Sequence, residues 1–412
     1  MFTPIVRINL QKNIRPAAIS LPASKSESNR ALIIAALCPG GAELHNISEA
    51  RDTQTMQRLL QSDERVMDVL DAGTTMRFLT AFFAVNGQEK IMTGTERMQQ
   101  RPIGLLVDAL RLLGAQVDYT AREGYPPLHI SGPFEQKIKR LSIRGDVSSQ
   151  YISALLMIAP ALSQGLELQL ERKIGSRPYI DMTLQLMTRF GIEAEWNGNI
   201  IRVKPGQSYK TESYTIESDW SGASYWLSFT ALAEEAEISL LGLRPDSLQG
   251  DIRILEIMEK AGVGYRWEGS MLHLFKKEAA GEISVDFTHC PDLAQTVAVA
   301  CAAKGIKGYF TGLESLRIKE TDRIAALQTE LAKINARLIE AEEGKWELHP
   351  TDKMPEGAIR IHTYDDHRMA MAFAPLATQL PLVIEEPDVV RKSYPRFWQN
   401  MEEAGFSLQV EG

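Results

Sequence analysis

Lys25 and Arg30 stand in Leu21-Pro-Ala-Ser-Lys-Ser-Glu-Ser-Asn-Arg30, directly before the apolar run Ala31 to Cys38. A Ser-rich turn that opens a helix leaves backbone N–H groups unpaired at the positive end of the helix dipole. A lysine and an arginine at that end make a place for an anion. Further along, Arg317-Ile-Lys-Glu-Thr-Asp-Arg323 packs three cations and two acids into seven residues. Thr321 can cap the helix that follows. Glu320 lies just outside it, where Lys319 and Arg323 hold a carboxylate ionised unless burial or a substrate opposes them. A solvated helix start with local salt bridges reads the same way, and spacing alone does not separate the two. Asp292 follows Cys290-Pro291 at the start of another apolar helix and can serve as cap, base or both. His367 and Arg368 open a third helix in Tyr-Asp-Asp-His-Arg-Met, where a lone His is more often a structural hydrogen-bonder than a catalyst.

These residues need elements to position them, and composition bounds what those are. At 412 residues and 44% hydrophobic, the chain can bury a large core and is expected to fold as two domains. The net charge of −8 and a pI of about 5.6 argue against a nucleic-acid surface, which shows as a basic face. Cations at isolated motif positions suit a small anionic substrate instead. Cys38, Cys290 and Cys301 form no CxxC pair and read as free thiols of a reducing cytosol. No signal peptide and no apolar run near the ~20 residues of a membrane span is visible. The seven histidines show no metal-ligand spacing, and the chain has no GxSxG, GxxxxGK[ST] or GxGxxG helix opening. The expectation is a cytoplasmic protein with no metal, no cofactor, no nucleic acid and no membrane.

A repeat organises the chain. Pro102 to Leu113 is amphipathic, with Ile103, Leu106, Leu110 and Leu113 on one stripe, and is followed by Gly114 and a strand-like stretch. Tyr179 to Phe190 with Gly191, Ile252 to Ala261 with Gly262, Thr321 to Ile334 with Asn335, and Arg396 to Ala404 with Gly405 repeat it. The closing markers lie 77, 71, 73 and 70 residues apart, and Gly and Asn are the residues that best tolerate the left-handed conformation ending a helix. A second family of helices, apolar on most faces and therefore expected to be buried, begins near Ser24, Asp71, Ser148, Asp219, Asp292 and Asp366. From Asp71 on, these starts are 77, 71, 73 and 74 residues apart, in step with the first family. Six units in two groups of three result. The first is short, with 47 residues between Ser24 and Asp71, and is expected to lack the hairpin of the others. Parallel helices would bring their positive ends to one face in each domain, although each Ser or Asp at such a start is also a plain N-cap. Lys25, Arg30, Arg77, Arg101, Lys319, Arg323, Arg368 and Lys392 all lie at or next to these junctions.

Nine segments in register resemble the 5-enolpyruvylshikimate-3-phosphate synthases of the shikimate pathway. They are Ser24-Lys-Ser-Glu-Ser-Asn-Arg30, Ala72-Gly-Thr-Thr-Met-Arg77, Arg101-Pro-Ile-Gly104, Val147-Ser-Ser-Gln150, Arg177-Pro-Tyr-Ile-Asp181, Pro291-Asp292, Lys319-Glu-Thr-Asp-Arg323, Asp366-His-Arg-Met369 and Lys392. The resemblance implies two similar inside-out α/β domains, each a threefold repeat with buried parallel helices and outer sheets. Residues 21–218 would form one; 1–20 and 219–412 would form the other, with the active site in the cleft between them. The implied reaction moves the enolpyruvyl (carboxyvinyl) group of phosphoenolpyruvate to the 5-hydroxyl of shikimate 3-phosphate and releases phosphate by addition–elimination, without metal or cofactor, in a monomer.

Carried over by position, Asp292 is the base at the hydroxyl, Glu320 the acid at the methylene, and Lys25 touches both substrates. Gly73, Arg101, Gln150, Arg323, Arg368 and Lys392 would hold phosphoenolpyruvate. Ser26, Arg30, Ser148, Ser149, Gln150, Ser176, Tyr179, Asp292, Ser315 and Lys319 would hold shikimate 3-phosphate. Three positions depart from the pattern: Asp71 and Ser315 stand where the family has Asn, and Phe78 where it has Pro. Asp71 and Phe78 are expected to change affinity for phosphoenolpyruvate and the herbicide glyphosate without abolishing turnover. Two rival readings share these features, an enolpyruvyl transferase acting on a UDP-sugar and a non-catalytic anion-binding relative. The first typically uses a loop cysteine, absent from Pro102-Ile-Gly-Leu-Leu-Val-Asp108. The second has no need of Asp292 and Glu320.

Overall fold

The computed structural model describes residues 3–146 and 148–411; Val147, which opens one of the motifs above, lies outside them, as do Met1, Phe2 and Gly412. The chain divides into two compact units, residues 24–216 and residues 1–23 with 217–412. Among the described residues, five sheets have four strands each and a sixth has two.

Three of the five large sheets share one pattern, and in the other two a strand from the start of the chain, Ala17–Ser20 or Ile5–Ile8, takes one of the places. A strand, an apolar helix and a second strand parallel to the first are followed by an amphipathic helix and a hairpin that extends the sheet antiparallel. Arg140–Arg144, helix Ser149–Ile158, Leu166–Glu171, helix Arg177–Arg189 and the hairpin Ala194–Asn197/Ile200–Val203 show it in full. Along Arg140–Arg144 the buried residues are Leu141 and Ile143, so one sheet face meets the core and the other meets solvent. In the last repeat the outer strand Leu408–Glu411 pairs with Ile5–Ile8, so the start of the chain completes the sheet of its final repeat. The short first repeat has no hairpin among the described residues: its strand Glu43–His45 pairs only with Ser213–Thr215. It does have the amphipathic helix, Arg51–Leu60, which ends at Gln61 and so lacked the glycine marker.

Each unit is built on three apolar helices. Those of residues 24–216 are Lys25–Leu37, Gly73–Val85 and Ser149–Ile158. Those of the other unit are Trp220–Leu232, Ala294–Lys304 and His367–Phe373. Within each unit they pack on one another, and Ala294 to Ala303 is buried on every face. The predicted stops hold: Gly114, Gly191, Gly262, Asn335 and Gly405 all have φ between 60° and 118°, a region closed to most side chains.

The helix starts are partly different from expectation. Ser24, Ser148, Asp219 and Asp366 accept from backbone N–H groups of their first turns. Asp71 does not cap: its helix begins at Gly73 behind Ala72. Asp292 lies in a 3-10 turn, Pro291–Leu293, ahead of a helix with no side-chain cap. Asp322, not Thr321, caps Arg323–Ala332, because its carboxylate reaches the N–H groups of both Ile324 and Ala325 at 3.1 Å. Among the described residues no helix is long and apolar enough to cross a membrane.

Candidate active site

Arg323 is the centre of an acid–cation cluster in the unit of residues 217–412. It is 1% exposed at the first turn of its helix. Its Nε meets Asp366 Oδ2 at 2.7 Å, Nη2 meets Glu320 Oε2 at 2.8 Å and Nη1 meets Asp292 Oδ1 at 3.2 Å. One guanidinium thus joins the 3-10 turn of Asp292, the turn before its own helix and the cap of His367–Phe373. Arg368 Nη2 reaches Asp292 Oδ2 at 2.8 Å, and its Nη1 donates to the Asp292 carbonyl at 3.1 Å. Lys319 stands 3.9 Å from Asp292 and Lys392 3.8 Å from Glu320. Six expected site residues, Asp292, Lys319, Glu320, Arg323, Arg368 and Lys392, therefore come together. Ser315, in the half-buried turn Glu314–Ile318, lies outside this network.

The electrostatics separate these groups. Burial alone would raise the Asp292 carboxyl, but Arg368, Lys319 and Arg323 outweigh it and hold the group well below the usual carboxylate range. Burial depresses the Lys319 amine, against the pull of Asp292. Burial also works against the Arg323 charge, yet Asp366, Glu320 and Asp292 together raise its pKa above the ordinary value. Arg323 stays charged at every working pH.

The unit of residues 24–216 carries a different set. Arg101 is 9% exposed, and among the described residues no carboxylate pairs with its guanidinium; its Nε has no hydrogen-bond partner. A buried, unpaired cation is costly unless an anion completes it. A Cβ placed on Gly73 would lie 2.8 Å and 2.9 Å from the Arg101 terminal nitrogens and 2.7 Å from Arg77 Nη1. Only glycine lets these guanidinium groups come up to the helix start. Arg77 itself is bound to backbone, donating to Gly73 O at 2.8 Å and Pro102 O at 3.2 Å, and so holds the Arg101 loop to the helix.

Around these, Gln150 donates to Thr74 Oγ1 at 2.9 Å, and Tyr151 donates from its hydroxyl to Pro102 O at 2.5 Å. Lys25 pairs with the buried Asp52 at 3.1 Å. Arg30 donates to Thr183 Oγ1, Ser26 O and Ser153 Oγ, with the Tyr179 ring 5.9 Å away; burial lowers its pKa to about 10. Ser148 is exposed and Ser149 buried in the turn that opens their helix, while Ser176 precedes Arg177–Arg189 with φ of 51°.

Two of the three departures, Asp71 and Phe78, find partners as well. Arg51 grips both Asp71 oxygens at 3.0 Å, which offsets the extra negative charge near Gly73. Phe78 is fully buried with its ring 5.4 Å from the Arg30 guanidinium. Asp52, Asp366, Thr183, Ser153 and Arg51 were not among the expected site residues. Only Asp366 had a sequence signal, as a cap, which it is while also holding Arg323. Among the described residues no group of three or more His, Cys, Asp or Glu side chains could hold a metal ion.

The fold is that of solved EPSP synthases. One from Acinetobacter baumannii superposes with a TM-score of 0.79 over 100% of both chains at 21% identity. A second from the same organism gives 0.77 over 99% of this chain. The family model EPSP synthase (3-phosphoshikimate 1-carboxyvinyltransferase) matches residues 11–62 and 57–401. A 3-phosphoshikimate 1-carboxyvinyltransferase of Bacteroides fragilis is 48% identical over 398 residues, 96% of each chain. One from Neisseria meningitidis is 35% identical over 425 aligned positions, covering 96% of this chain and 97% of its own. The chain belongs to the EPSP synthase family.

Proposed function

We propose that the chain transfers the enolpyruvyl group of phosphoenolpyruvate to the 5-hydroxyl of shikimate 3-phosphate, releasing phosphate, as a cytoplasmic monomer without a cofactor in aromatic amino-acid biosynthesis. The observation that carries the mechanism is the pair of carboxylates, Asp292 and Glu320, bound to one buried guanidinium in unequal surroundings. Addition–elimination needs two proton-handling groups at different atoms. Asp292 takes the hydroxyl proton as the oxygen attacks C2 of phosphoenolpyruvate, and Glu320, protonated from solvent once the substrate anions draw Arg323 and Lys392 away from it, gives that proton to the methylene carbon. The tetrahedral adduct then expels phosphate as the new methyl group returns one proton.

Asp292 is too weak a base while Arg368 and Arg323 hold it. Both substrates carry a phosphate and a carboxylate, which compete for those guanidinium groups. Their binding therefore raises the basicity of Asp292 at the moment it is needed. In this reading Arg101, Gly73, Gln150, Arg323, Arg368 and Lys392 hold phosphoenolpyruvate, with guanidinium forks suited to its carboxylate and phosphate. Arg30, Ser26, Ser148, Ser149, Ser176, Tyr179, Ser315 and Lys319 hold shikimate 3-phosphate, Lys25 serves both, and residues of the two units act in one turnover. Glyphosate competes at the phosphoenolpyruvate position.

Phosphate release from phosphoenolpyruvate, measured with shikimate 3-phosphate or a UDP-sugar as acceptor, tests the reading. Release with the first acceptor alone is expected. Release only with the UDP-sugar, or with neither, overturns it.

A further inference from the structure

Asp251 belongs to none of the motifs and has no part in the reaction as written above. It lies in the 3-10 turn Gly250–Arg253 and is 5% exposed. Ser221 donates from Oγ to its Oδ2 at 2.5 Å, whereas its Oδ1 has no hydrogen-bond partner. The Ser221 oxygen in turn accepts from Arg368 Nη2 at 3.4 Å. That same nitrogen pairs with Asp292 Oδ2 at 2.8 Å, and Nη1 reaches the Tyr225 hydroxyl at 3.4 Å. A continuous chain of contacts thus runs from Asp251 through Ser221 and Arg368 to Asp292.

We propose that Asp251 is a positioning residue for the transfer: by accepting the Ser221 hydrogen bond it keeps the Ser221 oxygen turned to Arg368, fixing the guanidinium that serves both Asp292 and phosphoenolpyruvate. The inference rests on the function proposed above. A hydroxyl has one proton. When that proton points at ionised Asp251, which accepts the hydrogen bond, the Ser221 lone pairs are left for Arg368. A protonated Asp251 offers its own proton to Ser221, whose hydroxyl proton must then turn elsewhere, and its other charged neighbour, Arg368, is a donor. The lock therefore holds with Asp251 ionised and loosens with it protonated.

That change falls within the working pH range. Burial, then Asp292, push the Asp251 carboxyl up to about 7; Asp219 adds to the rise, while the Ser221 hydrogen bond and Arg368 oppose it. From the adjoining turn, burial followed by Asp251 pushes the Cys290 thiol up to about 12, so it brings no charge. Arg253 contacts that sulfur at 3.8 Å.

Asp251→Asn tests this in the full chain, because the amide donates to Ser221 as a protonated carboxyl does. Steady-state kinetics with both substrates are measured from pH 6 to 8. At pH 8 the variant is expected to raise KM for phosphoenolpyruvate about tenfold, the effect of one hydrogen bond to a charged group, with KM for shikimate 3-phosphate within about twofold. The ratio of variant to wild-type KM for phosphoenolpyruvate falls toward one as pH drops to 6, which cancels the substrate's own titration. On a Ser221→Ala background Asp251→Asn has no further effect. A pH-independent ratio, equal changes in both KM values, or additivity with Ser221→Ala overturns the proposal. If Asp251→Asn does not fold, Ser221→Ala alone must show the selective rise in KM at pH 8, and its absence overturns the proposal equally. Wild-type inactivity with shikimate 3-phosphate refutes the functional reading instead.

Discussion

Asp292→Asn separates charge from shape at the centre of the cluster. The substitution keeps the side chain's size but removes the negative charge that pairs with Arg323 Nη1 at 3.2 Å and with Arg368 Nη2 at 2.8 Å. Arg323 retains Asp366 at 2.7 Å and Glu320 at 2.8 Å, so it is not left unpaired. Loss of stability is therefore moderate, about 1–3 kcal/mol for weakened hydrogen bonds to charged groups. The chemical loss is larger. Removing a general base costs about 10²–10⁴ in rate, or about 3–5 kcal/mol of barrier. Turnover should fall by that factor while KM for phosphoenolpyruvate changes little or improves, since Arg368 is released toward its anions. The variant should also lose an acid-side term in stability. Asp292 is depressed in the folded chain, so its contribution is present above the unfolded carboxylate pKa and fades as pH falls through the folded one. Phosphate-release kinetics and thermal melts between pH 3 and 7 read both effects. Wild-type turnover in the variant would refute the assignment of the base.

Arg101→Met removes a buried cation that no carboxylate among the described residues balances, so melting temperature should hold within a few degrees or rise, while KM for phosphoenolpyruvate rises at least about tenfold; titration calorimetry with phosphoenolpyruvate and shikimate 3-phosphate checks it. Arg323→Met does the opposite: it takes the guanidinium from the buried Asp366 and weakens the pairing of Glu320 and Asp292, which keep Lys392 and Arg368, and denaturant melts should show a loss of about 3–5 kcal/mol together with loss of activity. Gly73→Ala forces the Arg101 and Arg77 guanidinium groups off the helix start. Steady-state kinetics should show KM for phosphoenolpyruvate raised more than KM for shikimate 3-phosphate.

The repeat was legible because its punctuation is chemical. Gly114, Gly191, Gly262, Asn335 and Gly405 occupy backbone conformations that few residues reach, so their spacing carried the architecture. The apolar helices announced themselves by lacking a polar face, Ala294 to Ala303 most clearly. The helix starts were harder. Ser, Thr and Asp crowd these turns, and which one caps depends on the residue at which the helix begins; Arg323–Ala332 begins behind Asp322 and not Thr321, and Asp71 lies one residue too early and pairs with Arg51. Least legible were pairings between residues distant in sequence. Arg323 with Asp366, Lys25 with Asp52 and Arg368 with Ser221 span 43, 27 and 147 positions, and no local pattern marks them. Arg77, placed by the sequence only at a helix junction, donates to the carbonyls of Gly73 and Pro102, contacts that no motif announces.

The most direct test of enolpyruvyl transfer by addition–elimination is the reaction run in D2O and followed by proton NMR. Protonation of the phosphoenolpyruvate methylene by a solvent-exchanged Glu320, then loss of one of three hydrogens, predicts deuterium in the vinyl group of the product alongside one phosphate released per transfer. Product with a vinyl group free of deuterium, or phosphate released without a new enol ether, contradicts the account.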